Sequence, residues 1–154
     1  MRRLGLLAAF LVLLVGCGGG DEAAPTTTGP AAEPPTTSSG SKLSPRCTEG
    51  TTTITHAIGS GLKGKGRELT SVYAVKSTAF GSVFFISGRI KGAPSRPIGT
   101  WATNNLNLGG LMFSVDPVAK KYSRWANGAA FEPKLTLKVE GARASRSCVT
   151  RATG

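Results

Sequence analysis

The spacing of apolar positions changes character twice along the chain. Leu4 to Val15 is an apolar run interrupted only by Gly5, whereas residues 18–41 keep neither a helical nor a strand period. From Lys42 onward short apolar segments return, separated by Gly, Pro and Ser. Ile54, Ala57, Ile58 and Leu62 recur at helical spacing after Thr48, a candidate N-cap, and Gly59-Ser60-Gly61 supplies a stop, which predicts a helix over 49–59. The threonines at 51–53 and 55 pull toward a strand instead, with Ile54, His56 and Ile58 on one face.

Thr70 to Lys76, Ser82 to Ile90 and Ile98 to Thr103 are rich in β-branched and aromatic residues and bounded by turn formers, so they predict strands. Val83, Phe84, Phe85 and Ile86 are apolar on both faces, as in a central strand. Asp116-Pro117 predicts a helix start, because Asp caps free amides and Pro suits the first helical position. Val118, Tyr122 and Trp125 then share one stripe, and Asn127-Gly128 ends it. Leu135, Leu137 and Val139 alternate with Thr136, Lys138 and Glu140, which predicts a half-buried strand, and Ala142 to Val149 predicts a short helix. The class is α+β: a small antiparallel sheet of about four strands, with two or three short helices against one face. A β-sandwich is the alternative, and the Asp116-Pro117 helix argues against it.

The apolar run at the start is shorter than the roughly 20 residues that cross a bilayer. With Arg2 and Arg3 before it, it has the layout of an export signal. It ends on Leu14-Val15-Gly16-Cys17, which resembles the lipobox of bacterial lipoproteins. That resemblance implies a signal peptide at 1–16 and a diacylglyceryl group on Cys17, usually with further acylation of the new amino terminus. It implies a domain held on the extracytoplasmic side of the cell membrane. Two or more acyl chains make such anchoring stable where one is marginal. Residues 17–41 are then a tether. Of positions 18–41, 17 are Gly, Pro, Ser or Thr, so ordering them has no offsetting burial, and a coil of this length has an end-to-end distance of roughly 25–30 Å.

Residues 42–154 have the size of one domain. They hold 17 Lys/Arg against 5 Asp/Glu, a formal charge of +12, while the tether holds three acids and no base. With Cys17 assigned to lipid, Cys47 and Cys148 are an even pair near the two ends of the domain, in a chain sent where disulfides persist, and they are expected to bridge. The segment from Ala74 to Trp125, notably Ala74-Val75-Lys76-Ser77, Gly99-Thr100-Trp101-Ala102-Thr103-Asn104 and Ser114-Val115-Asp116, resembles a group of uncharacterised lipoproteins of high-GC Gram-positive bacteria. That likeness supports the domain limits and adds nothing to the chemistry.

Catalytic patterns are absent from the sequence. Nucleophilic catalysis needs a Ser or Cys with a base and an orienting acid, and the domain offers His56 alone and no Gly-x-Ser-x-Gly elbow. The five acids show no pairing suited to glycoside hydrolysis. Gly61 to Gly66 lacks the context of a phosphate loop, and one His falls short of a zinc site. No catalytic residue, metal or cofactor is assigned, and an unrecognised hydrolase stays a remote alternative.

Charge is the stronger guide. A basic domain tethered near anionic lipid is attracted at about 1 kcal/mol per Lys/Arg close to the surface, within a Debye length of about 8 Å. Lys63, Lys65 and Arg67 in one loop, with Arg89, Lys91 and Arg96 around another, are the candidates for polyanion binding. The expected partners are anionic lipid or a cell-wall polymer. A glycan-binding alternative places Trp101 beside Asn104, Asn105 and Asn107 at one rim. Nucleic acid is not expected, since no recognition motif is present, and no protein partner is indicated.

Overall fold

The computed structural model describes residues 43–107 and 110–154. Cys17 and the stretches predicted to be an export signal and a tether lie outside the described residues. The elements run β1 (Thr48–Glu49), α1 (Thr52–Ser60), β2 (Glu68–Lys76), β3 (Phe84–Lys91), β4 (Ile98–Thr103), β5 (Met112–Ser114), α2 (Pro117–Tyr122), β6 (Ala126–Asn127), α3 (Gly128–Phe131) and α4 (Glu140–Thr153). The class is α+β as the pattern predicts, but the sheet has six strands rather than about four, in the order β1-β2-β3-β4-β5-β6. The first five form an antiparallel meander and β6 joins β5 in parallel. The additional strands have two or three residues each, too few to show an alternation.

Helices cover both faces, not one. Ala74, Ile86 and Trp101 are paired across β2, β3 and β4, so they share a face. They pack there with Ile54 and Ile58 of α1 and Ala119 of α2. The alternate row, Val75, Phe85 and Ala102, faces the other way, where Phe85 and Ala102 join Val115, Leu135 and Ala142 of α4. Being covered on both sides is why β3 reads as a continuous apolar run. An added residue in β2 keeps its apolar positions on the right face: the pairing shifts by one between Thr70 and Tyr73, with Ser71 at φ 49°. This bulge returns Val72 to the α1 face.

Several predicted boundaries change. The helix over 49–59 is α1, capped by Thr51 rather than Thr48, its hydroxyl accepting from the Ile54 amide at 3.2 Å. The Asp116-Pro117 helix stops at Tyr122 instead of reaching Asn127. Ser123 there turns extended; its hydroxyl accepts from Trp101 Nε1 at 3.1 Å and donates to the Ala119 carbonyl at 2.7 Å, and its backbone bridges to Leu62. Trp125 reaches the same apolar cluster from beyond the helix, donating its indole N–H to the Ile58 carbonyl. The alternating segment Leu135 to Glu140 is no strand. Backbone bonds from Leu135 to Glu132, Thr136 to Lys134 and Val139 to Thr136 fold it into successive turns. Leu135 is buried in the Phe85 cluster and Leu137 and Val139 pack against it. The alternation reflects burial in turns, and the helix predicted over 142–149 begins earlier and ends later, as α4.

A polar network joins the layers. The Asp116 carboxylate, 1% exposed, accepts from the Ala119 amide at 2.7 Å, capping α2, and from the Thr100 amide of β4 at 3.3 Å. It also accepts from Arg146 Nη1 of α4 at 2.6 Å. Arg146 reaches the Ile98 carbonyl at 2.8 Å as well. Beside it lie the buried hydroxyls of Ser87, Thr100 and Ser145, with Ser87 Oγ at 3.0 Å from Thr100 Oγ1 and 2.8 Å from Ser145 Oγ. Burial pushes the Asp116 carboxyl above its ordinary range, against the opposing pull of the two amides and the guanidinium. At the edge, Cys47 and Cys148 form a disulfide with Cα atoms 5.8 Å apart, as expected, tying the chain before β1 to α4.

Two outcomes follow for stability. Arg146→Met strands a buried carboxylate and is expected to cost about 3 kcal/mol at neutral pH in urea unfolding. Losing the guanidinium raises the Asp116 pKa further, so the variant's native state binds a proton the unfolded chain does not. The deficit relative to wild type therefore shrinks as pH falls through the raised value; a deficit equal at pH 7 and pH 4 contradicts this. Reducing Cys47–Cys148, which closes a separation of 101 residues, is expected to lower stability by up to ~4.7 kcal/mol, read from the urea midpoint with and without reductant.

Candidate functional site

Two loops meet at one end of the sheet. The segment before β2, residues 61–67, and the segment after β3, residues 92–97, flank the Glu68–Lys91 and Leu69–Ile90 pairs. They approach so closely that a Cβ on Gly92, at φ +79°, would lie 2.6 Å from the Gly66 carbonyl oxygen. The first loop is also fixed to the end of α2, because the Lys63 amide donates to the Tyr122 carbonyl and the Arg124 amide to the Gly61 carbonyl, both at 2.8 Å.

This docking unites the two basic clusters identified in the sequence and adds a third. Lys63, Lys65 and Arg67 lie in the first loop, which is bonded to the end of α2 that carries Lys120, Lys121 and Arg124, and Arg89, Lys91 and Arg96 lie at the adjoining strand ends. Glu68, at the start of β2, is exposed and bonded to Lys91 at 3.0 Å. The Tyr122 ring organises part of the group: the Arg67 guanidinium lies 4.8 Å from its centroid and Lys121 Nζ 5.2 Å. Contacts of this kind hold a cation in place without neutralising it. Arg67 also donates to the Lys63 carbonyl, and Lys63 Nζ to the Lys120 carbonyl at 3.3 Å.

Across the strand ends, Thr70, Ser71, Arg89, Lys91, Ser95, Arg96 and Thr153 line a hollow of about 460 Å³. Ser95 and Arg96 have φ of 61° and 43°, so the turn that presents Arg96 adopts a backbone that side chains other than Gly rarely take. Arg89 is committed to the fold: Nε and Nη2 donate to Thr153 Oγ1 at 3.0 and 2.7 Å, closing the end of α4. The side chains of Lys65 and Arg96 make no hydrogen bond or ion pair among the described residues, and both are exposed. Chemically, the end is an array of point charges, guanidinium forks and hydroxyls, suited to phosphate or carboxylate oxygens.

The glycan rim does not assemble as expected. Trp101 is fully buried and its indole N–H donates to Ser123, so it shows no aromatic face to a ligand. Asn104 and Asn105 use their side-chain oxygens on the Leu111 and Asn107 amides, at 3.0 and 2.9 Å. His56 is exposed on α1, and no group of three or more His, Cys, Asp or Glu gathers among the described residues. No described helix is long and apolar enough to cross a membrane.

The α2 cations carried no site signal in the sequence, since they read as the polar side of a helix. Only the pairing of Leu62 with Ser123 brings them to the loop. Compared with protein-family models, with curated proteins and with solved structures, the chain matches none.

Gly92→Ala tests whether the two loops act as one surface. The new Cβ meets the Gly66 carbonyl in a strained backbone, so a loss of at least about 1 kcal/mol is expected. Affinity for a soluble polyanion such as polyphosphate is expected to fall with it, although no charge is removed. Unchanged affinity in a folded variant would show that the two loops bind independently.

Proposed function

We propose that the chain is an exported lipoprotein, held at the cell membrane through Cys17, whose basic domain is a non-catalytic module that docks on an anionic surface. The observation that carries this reading is the docking of two basic loops and the basic end of α2 at one end of the sheet. The ligand chemistry is repeated phosphate or carboxylate groups, as found on anionic lipid headgroups or on an acidic wall polymer. A few bases engaged at about 1 kcal/mol each suffice for salt-sensitive docking of a molecule already confined by its anchor. Confinement also raises the effective concentration of the domain, so weak contacts count.

The anchor is tested by metabolic labelling with a fatty acid. Label on the wild-type chain, and its loss with release of the protein in Cys17→Ala, is the expected result; an unlabelled wild type defeats the anchor reading. The surface is tested with residues 17–154 carrying Cys17→Ser, sedimented with phosphatidylglycerol vesicles, phosphatidylcholine vesicles or purified cell wall. At low salt the chain should bind an anionic target more tightly than phosphatidylcholine vesicles, and that excess should disappear as salt rises. A triple Lys63→Glu, Lys65→Glu, Arg67→Glu variant should bind at least about tenfold more weakly. Which anionic target pellets distinguishes headgroup from wall polymer. No excess for an anionic over a neutral target at low salt, or an excess that neither salt nor the triple variant removes, contradicts the proposal.

A further inference from the structure

The opposite end of the sheet carries a surface of different chemistry. The turn between β2 and β3, the last residues of β4 and the first of β5 converge there on a cleft of about 280 Å³, close to the lower bound of roughly 300 Å³ for ligand pockets. Phe80, Val83, Ala102, Phe113 and Leu135 line it. Leu111 and Phe131 border it with 58% and 70% of their surfaces exposed. The Phe131 ring is stacked on Phe113 with centroids 5.0 Å apart, so it is held in place while most of it meets solvent.

The polar groups of the cleft are engaged locally. The Thr103 hydroxyl donates to the Asn105 carbonyl, the Asn104 side-chain oxygen accepts from Leu111, and Glu132 Oε1 accepts from the Lys134 amide. What remains is an apolar slot, a poor match for a sugar or a nucleotide and a good one for hydrocarbon. Next to it, Phe80, Pro133, Lys134, Thr136, Lys138 and Val139 border a second hollow, where Lys134 and Lys138 are exposed and the nearby acid, Glu140, is bonded to Arg46.

The first described residues, from Leu43, lie near this end. Arg46 is bonded to the carbonyl of Lys76, the last residue of β2, and to Glu140 at the start of α4. The basic loops lie at the start of β2, roughly 26 Å away along the strand.

We propose that this cleft is a membrane-contact site: Phe131 and Leu111 insert into the bilayer interface and the slot takes a segment of one acyl chain of a bilayer lipid, with Lys134 and Lys138 beside the phosphate. The choice of the bilayer as source rests on the anchor reading above, but the binding itself does not require Cys17. The two ends of the domain then act by separable physics, one apolar and indifferent to salt, the other cationic and screened by it.

The test uses residues 17–154 with Cys17→Ser and vesicles of phosphatidylcholine or phosphatidylglycerol in 1 M salt, where the Debye length is about 3 Å. Binding to both vesicles that persists in 1 M salt is expected, falling at least about tenfold in Phe131→Asp with Leu111→Asp and unchanged in the Lys63/Lys65/Arg67 triple variant. Both replaced side chains are largely exposed, so folding should survive, which the far-UV spectrum checks. In a second arm, Phe131→Trp should blue-shift on vesicles and be quenched by lipid brominated in its acyl chains. Absence of salt-resistant binding, or of quenching, overturns the proposal and leaves the cationic docking intact. A Phe131→Trp signal that responds to soluble wall glycan and not to lipid overturns it as well.

Discussion

One carboxylate ties the layers of this domain together. Asp116 accepts an amide from α2, an amide from β4 and the guanidinium of Arg146 on α4, so its bonds run from the helix on one face, through the sheet, to the helix on the other. Buried charge is costly unless each lone pair finds a donor, and here the donors come from three elements that must be in register together. The neighbouring hydroxyls of Ser87, Thr100 and Ser145 extend the same demand across β3, β4 and α4. Among the described residues no buried side-chain polar atom lacks a partner. An apolar interface tolerates sliding, whereas this one specifies a single docking of α4 on the sheet.

That docking fixes what lies at each end of the strands. α4 begins beside Lys76, where Glu140 meets Arg46 and Gly141 packs so closely on Phe85 that a Cβ would fall 2.9 Å from its ring. It ends beside Arg89, whose guanidinium holds Thr153. The strands between them separate an apolar end from a cationic one. Antiparallel connections place β-turns and loops only at the ends of a sheet, so a sheet with both faces covered by helices has little else to offer a ligand. Surface chemistry is therefore sorted by strand direction.

The cationic end also shows how charge becomes a site. Seventeen bases on a small domain are a solubility feature if dispersed. Here the close approach of Gly66 and Gly92, the Leu62–Ser123 bridge and the Tyr122 ring bring three groups of them to one end of the sheet. Mutual repulsion in such a group is a standing cost that a polyanion relieves. The fold carries that cost because the backbone contacts beneath, not the charges, hold the loops together.

Much of this was readable from local pattern, because local pattern reports local physics. The period of Ile54 and Ile58, the Asp116-Pro117 start, the two-sided apolar run of β3 and the pairing of Cys47 with Cys148 each depend on neighbours in sequence or on a simple count. The alternation at Leu135 to Val139 misled, because turns can bury every second residue as a strand does. Trp101 looked available for a ligand only until β4 was seen to be covered on both faces. What the sequence by itself determined is the class of fold, its charge and the covalent staple. Which cations stand together and where the apolar cleft opens were decided by tertiary contacts such as Leu62 with Ser123 and Arg46 with Glu140, between residues 61 and 94 positions apart. Proximity across such separations is a property of packing, and no local window of the chain encodes it.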